Sequence, residues 1–229
     1  MARYSNPEGI TVIYSTRQSS PGYQEHIRKT CHLGDRLEII EVVNDGQWGL
    51  SELYNRVMKD CKYDIVVFMH DDLIFETYGW GRILLRNFAR REVEIIGLAG
   101  VHTDFPDNGC WWHGRYKAGI VNHIKDGQKF ATVFSPEQGD RIKKVMSVDG
   151  LFIAARKSRL AHSFDESFTG FHFYDLGFCF PNYLEGVDIG VVTNIRVTHM
   201  SVGNTNDEWE RNRLLFVEKY ADDLPCKQE

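Results

Sequence analysis

The sequence predicts an α/β protein built on a mainly parallel sheet with helices on its faces. Three observations carry that expectation. Strand-length apolar runs alternate with helical stripes through residues 10–101 in the order β-α-β-α-β-α-β, which implies right-handed crossovers and parallel strands. Ile65-Val-Val-Phe-Met69 is apolar at every position and rich in β-branched and aromatic residues, the pattern of a strand buried on both faces. That run stops at His70-Asp71-Asp72. Burying two adjacent carboxylates without partners costs several kcal/mol, so they are expected at the sheet rim, within reach of water or a cation.

Ile10 to Tyr14 is the first predicted strand, followed by the polar loop Ser15-Thr-Arg-Gln-Ser-Ser-Pro-Gly22. Tyr23, Ile27 and Cys31 recur at i, i+4, i+8 and predict a helix from about Tyr23 to Leu33, with Gly34 placed to end it. Leu37 to Val43 is the second strand. After Asn44-Asp-Gly-Gln-Trp-Gly49, the residues Leu50, Leu53, Tyr54, Val57, Met58 and Cys61 trace one helical stripe, with Ser51 placed to cap it. Trp80, Ile83, Leu84 and Phe88 predict a third helix, and Ile95 to Val101 a fourth strand. Beyond residue 101 the alternation stops. Thr103 to Lys117 is long, irregular and rich in aromatics, as binding loops often are. Ile120–His123 and Lys129–Phe134 flank Lys125-Asp-Gly as a hairpin, a small antiparallel addition. Val145 to Arg156 is a strand interrupted at Asp149-Gly150, and Phe164–Phe168 a turn. A helix over about Tyr174–Leu184, strands at Ile189–Thr193 and Ile195–His199, and an amphipathic helix over Trp209–Tyr220 complete the chain.

With 229 residues, 42% of them hydrophobic and 13% aromatic, the chain can fill one sizeable core. No repeat, low-complexity tract or linker demands a second domain. A net charge of −5 argues against a general nucleic-acid binder. Five widely spaced cysteines without a Cys-x-x-Cys pair suggest neither a disulfide framework nor a zinc site, and a reduced, cytoplasmic setting is expected. The first residues form no apolar signal segment, and no stretch approaches the ~20 apolar residues that span a bilayer. Any membrane contact is expected to be peripheral.

Four polar groups follow predicted strands: Ser15-Thr16-Arg17, Asn44-Asp45-Gly46, His70-Asp71-Asp72 and Thr198-His199. The first three should converge on the carboxyl edge of one parallel sheet, where open α/β sheets bind ligands. Such an edge suits a nucleotide. Asn44, Asp45 and flexible Gly46 can approach a base or ribose, while oxygen ligands from Asp71 and Asp72 suit Mg²⁺ or Mn²⁺ bridging to a diphosphate. The plain alternative is that one aspartate caps a turn. His199 is a further candidate ligand, against the alternative of a satisfied structural histidine. Trp111 and Trp112 are candidates for stacking on a sugar or base, with core packing the alternative for at least one.

Strand one with its polar loop, Asn44-Asp-Gly-Gln-Trp-Gly-Leu-Ser-Glu-Leu-Tyr-Asn55, Phe68-Met-His-Asp-Asp72, Val148-Asp-Gly150 and Phe171-His-Phe-Tyr-Asp175 follow one another in an order that resembles the GT-A nucleotide-sugar glycosyltransferases, particularly family-two-like bacterial enzymes. The resemblance spans roughly residues 10–203. It implies a GT-A-like, Rossmann-like, mainly parallel central sheet in a single domain. Within 1–229, about 10–101 would form the nucleotide-binding half, about 102–203 the donor-sugar and acceptor half, and 204–229 a C-terminal helix. It further implies a nucleoside-diphosphate sugar donor, a glycan or saccharide acceptor and Mn²⁺ or Mg²⁺. His70-x-Asp72 stands where such enzymes carry Asp-x-Asp, so Asp72 resembles the metal-binding aspartate and Asp71 a ribose or metal contact. Histidine at the first position leaves three roles for His70: a metal contact, a nucleotide contact, or shaping of the turn. Asp175 stands at the place of the catalytic base, although a carboxylate at a helix start is otherwise explained by the helix dipole. His199 resembles the late histidine that helps bind metal or diphosphate. Asp149 and Gly150 resemble donor-sugar contacts, with a bulge as the alternative for the glycine.

Other functions are less consistent with the residues. A nucleotidyltransferase acting on sugar phosphates needs an early glycine- and lysine-rich phosphate loop, and Ser15 to Gly22 has no lysine. Phosphohydrolase His-Asp pairs sit in helical bundles, whereas this pair follows a strand. A non-catalytic carbohydrate-binding module has no need of a carboxylate-metal site.

Overall fold

The computed structural model describes residues 9–137, 139–203 and 205–227. In chain order its regular elements are β1 (Ile10–Thr16), α1 (Pro21–Cys31), β2 (Leu37–Val43), α2 (Leu50–Met58), β3 (Ile65–Met69), β4 (Leu73–Phe75), α3 (Trp80–Ala89), β5 (Ile95–Gly97), β6 (Ala99–Val101) and β7 (Asp104–Phe105). There follow β8 (Lys117–Lys125), β9 (Gln128–Val133), β10 (Lys143–Val145), β11 (Ser147–Val148), β12 (Phe152–Arg156), α4 (Tyr174–Leu184), β13 (Ile189–Val191), β14 (Val197–His199), α5 (Asp207–Lys219) and β15 (Cys226–Lys227).

The main sheet has seven strands in the order β10-β13-β5-β12-β3-β1-β2. Strands β1, β2, β3, β5 and β13 run one way, and β12 and β10 run against them. The sheet is thus mainly parallel, as expected. The two-faced burial read from β3 is observed. Ile65, Val67 and Met69 enter one core with Ile27 of α1 and Trp80, Leu84 and Phe88 of α3, while Val66 and Phe68 enter the other with Leu53 and Tyr54 of α2 and Phe178 of α4. This is period-two alternation with helices on both sides.

The fourth predicted strand divides at Leu98 into β5, which pairs with β12 and β13 in the main sheet, and β6, which pairs with β8 and β11 in another, while β12 lies between β5 and β3. Close approach enables the division: a Cβ on Gly97 would lie 2.4 Å from Val148 Cβ, and one on Gly100 2.2 Å from the Ser147 carbonyl oxygen. The predicted 145–156 strand likewise separates into β10, β11 and β12. Strands β11-β6-β8-β14-β4 form a second sheet, with β9 added to β8. The predicted hairpin is β8–β9, closed by Asp126 and Gly127 at φ 52° and 76°, the left-handed pair that a two-residue hairpin turn requires.

Two helix boundaries differ from expectation. Helix α1 ends at Cys31, with His32 as its left-handed C-cap at φ 60° and Gly34, also left-handed at φ 56°, two residues farther on. Helix α2 starts from Gly49, not from a Ser51 cap; the Ser51 hydroxyl is buried without a partner, and the Leu50 N–H donates to the Gly170 carbonyl at 2.8 Å.

Candidate active site

The three leading strands end together. Register pairs Thr16 with Val43 and Tyr14 with Met69, so the polar segments after β1, β2 and β3 share one edge, as parallel pairing demands. Beyond Met69 the chain turns sharply into β4. The Tyr23 hydroxyl braces this turn, donating to the His70 carbonyl at 3.0 Å and accepting the Leu73 N–H at 3.3 Å. Strand β14 runs antiparallel to β4 with His199 opposite Leu73, and the Met200 N–H donates to the Asp72 carbonyl at 3.1 Å. This pairing delivers His199 to the aspartates from 127 residues away in the chain (199 − 72).

His70 Nδ1 lies 3.1 Å from His199 Nε2, and His199 Nε2 lies 3.2 Å from Asp72 Oδ1. Each residue offers a ligand atom within 4.8 Å of the others. Asp72 Oδ1 is buried and accepts no hydrogen bond of good geometry despite its nearness to His199. A buried carboxylate oxygen without a satisfying hydrogen bond, grouped with two imidazole nitrogens, fits a divalent cation, because such an oxygen is costly to leave unpaired. The protonation states agree. Burial pushes the Asp72 carboxyl up, but the nearness of the His199 imidazole, with Ser201 and His70, outweighs it and holds the group below its ordinary value. Burial, reinforced by His199, pulls the His70 imidazole down. A carboxylate and a neutral imidazole are the ligand-competent forms.

Asp175 sits in the first turn of α4, just after Phe173, whose backbone takes a left-handed φ of 65°. Its Oδ2 accepts the Gly150 N–H at 3.0 Å and its Oδ1 the Leu176 N–H at 2.9 Å. Burial, and then the neighbouring Asp149 charge, push its carboxyl up to about 7. A carboxyl poised near neutrality suits proton transfer. Gly150 also receives the Tyr174 hydroxyl, which donates to its carbonyl oxygen at 2.8 Å and lies 3.0 Å from His70 Nε2. One glycine therefore links the candidate base to the histidine of the metal trio. Only glycine fits, since a Cβ there would lie 2.4 Å from the Tyr174 hydroxyl. Gly150→Ala is expected to displace Tyr174 and destabilise the fold by about 1–3 kcal/mol, the usual cost of overpacking; urea unfolding measures it, and an unchanged midpoint would contradict this packing.

The remaining predicted residues divide by environment. Asp71, Arg17, Asp45 and Gly46 are exposed, with Gly46 at φ 96°. Asn44 closes its own loop, donating from Nδ2 to the Trp48 carbonyl at 2.9 Å and accepting the Trp48 N–H at 3.2 Å, with Ser15 Oγ 3.5 Å away. Thr16 Oγ1 donates to the Gln18 carbonyl at 2.9 Å. Asp149 Oδ1 accepts the Leu151 N–H at 2.9 Å. Trp111 is buried against Phe134, so the core alternative holds for it, whereas Trp112 is 36% exposed and packs on Trp209.

Sequence reasoning missed four residues around the trio: Tyr23, His123, Phe171 and Tyr174. His123 stands opposite His199 across the β8–β14 pairing, its ring 5.8 Å away and its Nδ1 buried without a partner. Phe171 is exposed and covers His70, with ring centroids 5.3 Å apart. Phe171 and Tyr174 carry a signal in the sequence, since both stand in the segment that ends at the candidate base.

A sheet of this topology, with carboxylates and histidines at the carboxyl ends of its strands, is the GT-A glycosyltransferase fold. Residues 23–220 match the model of a family described as "Glycosyltransferase like family", and the chain belongs to that family. Its fold is similar to that of GalNAc-T7 in a crystal structure with UDP, GalNAc and Mn²⁺, at 11% identity and a TM-score of 0.57 over 93% of this chain and 48% of that one. It is similar also to the mannosyltransferase PcManGT from Pyrobaculum calidifontis in complex with GDP-Man and Mn²⁺, at 11% identity and a TM-score of 0.54 over 98% of this chain and 67% of that one. The chain thus spans about half the length of the first. No curated protein sequence matches it. Among the described residues, no helix is long and apolar enough to cross a membrane.

Proposed function

We propose that the chain is a metal-dependent glycosyltransferase that moves a sugar from a nucleoside-diphosphate donor to a hydroxyl of a glycan or other saccharide, with inversion at the anomeric carbon. The observation that carries this reading is the trio of Asp72, His199 and His70, with Asp72 Oδ1 buried and unsatisfied beside His199 Nε2, joined through Tyr174 and Gly150 to a carboxyl tuned near neutrality. Family membership and the nucleotide-sugar and Mn²⁺ complexes of the two similar folds support it.

His70, Asp72 and His199 would hold Mn²⁺ or Mg²⁺, which when bound supplies positive charge to the diphosphate leaving group. The exposed segments after β1 and β2, with Asp71, face the same edge and would bind the base and ribose. Asp149 and Gly150 would border the donor sugar. A sugar hydroxyl is a poor nucleophile at neutral pH, and Asp175 would accept its proton as the new bond forms. One positioned base is worth about 10² to 10⁴ in rate. In this scheme 10–101 serves as the nucleotide half and 102–203 as the sugar and acceptor half. Trp112, half open beside Trp209, is a stacking face for a sugar ring. A cytoplasmic place of work, which five free cysteines support, and a part in polysaccharide synthesis belong to the same proposal.

Incubation with a panel of nucleoside-diphosphate sugars, Mn²⁺ and saccharide acceptors, followed by proton NMR, tests the reading. One donor should release its diphosphate and give a product of inverted anomeric configuration. A product that keeps the donor's configuration would remove Asp175 from the role of base.

A further inference from the structure

The geometry points to Tyr174 as a positioning residue that fixes which nitrogen of His70 carries the proton, so that Nδ1 is offered bare to a divalent cation. One hydrogen decides the matter. The Tyr174 hydroxyl lies 2.8 Å from the Gly150 carbonyl oxygen, which can only accept, so the phenolic proton is committed there. The same hydroxyl lies 3.0 Å from His70 Nε2. Having spent its proton, the oxygen can only accept from that nitrogen, so Nε2 carries the hydrogen. In the neutral ring Nδ1 then has a free lone pair, and Nδ1 is the atom that faces His199 Nε2 at 3.1 Å and belongs to the trio with Asp72.

The ring's other polar neighbour, His199 Nε2 at 3.1 Å from Nδ1, can donate to a bare Nδ1 in the metal-free chain and so agrees with this choice. Phe171 covers the His70 ring but has no polar side-chain atom. Tyr174 is itself buried and wedged among Tyr54 and Phe164, with ring centroids 5.7 and 6.3 Å away, so its hydroxyl has little freedom to seek another partner. Gly150 completes the device, because any side chain there would push the hydroxyl off the carbonyl. Metal-binding histidines generally depend on such an outer partner for ring orientation and tautomer, and losing it typically weakens metal binding about 10- to 100-fold. The bare peptide carbonyl of Gly150 thereby acts on the metal site at second hand, while its N–H holds Asp175. The two halves of the candidate chemistry meet at one glycine.

This role rests on the metal reading above, and the test separates the two. In metal-free protein labelled with ¹⁵N-histidine, two-bond ¹H–¹⁵N spectra, assigned with a His70→Ala variant, should show His70 protonated at Nε2. In Tyr174→Phe, which keeps the ring and its packing, His70 should lose that single tautomer, and Mn²⁺ binding followed by electron paramagnetic resonance should weaken about 10- to 100-fold. Protonation at Nδ1 in the parent overturns the proposal whatever the metal does. So does a Tyr174→Phe variant that keeps the parent's tautomer and binds Mn²⁺ as tightly. A parent that shows the Nε2 proton, loses it in Tyr174→Phe, yet binds no Mn²⁺ supports the tautomer assignment and removes the metal reading instead.

Discussion

Asp175→Asn should lower sugar transfer by at least about a hundredfold while leaving donor binding nearly unchanged. The substitution keeps the shape of the side chain and an oxygen able to accept the Gly150 or Leu176 N–H, but it removes the oxygen that takes the acceptor's proton. The parent's rate should also depend on pH in a stated direction. With the Asp175 carboxyl pushed up to about 7 by burial and then by Asp149, the base form is scarce below that pH, so the rate rises through about 7 and levels off above it. The groups that face Asp175 are Asp149, the Tyr174 hydroxyl and the Cys179 thiol. Stability runs the other way. A carboxyl raised above its ordinary 3.8 favours the folded chain most at low pH, and that contribution is lost as pH climbs through about 7. Asp175→Asn should therefore melt higher than the parent at pH 8 while transferring less sugar. A variant with near-parental transfer would end this assignment.

Asp72→Ala should abolish metal-dependent binding of the diphosphate and leave the fold intact. Diphosphate and carboxylates repel one another, and a divalent cation is what reconciles them. Asp72 supplies the trio's only carboxylate, and its buried Oδ1 lies 3.2 Å from His199 Nε2. Loss of a direct ligand should exceed the roughly 10- to 100-fold typical of an outer-shell partner. Circular dichroism checks the fold and calorimetry the binding. A folded Asp72→Ala chain that binds diphosphate and Mn²⁺ like the parent would falsify the assignment of this strand end.

Elements that carry their own periodicity are legible in the sequence. β3 declares itself because every residue from Ile65 to Met69 is apolar, and the helices declare themselves by stripes such as Trp80, Leu84 and Phe88. The insertion of β12 between β3 and β5 is not legible. Pairing is a long-range choice, and nothing in Phe152–Arg156 states which neighbours it will take. The division at Leu98 is hidden for a related reason: Gly97 and Gly100 are explained by Val148 and Ser147, some fifty residues on. His70 and Asp72 stand out because charge follows a buried strand. His199 is a weak signal by itself and gains its meaning from the pairing of β14 with β4. Gly150 reads as a sugar contact or a bulge, and the sequence has no means of showing the Tyr174 hydroxyl that a Cβ would strike.

The most direct test of the central claim is calorimetric titration of the parent chain with a panel of nucleoside diphosphates, with Mn²⁺ and with chelator. A nucleotide-sugar transferase built on His70, Asp72 and His199 should bind one diphosphate well with Mn²⁺ and at least about a hundredfold more weakly without it. Equal binding with and without the metal, or binding of free sugars in place of any diphosphate, would contradict it.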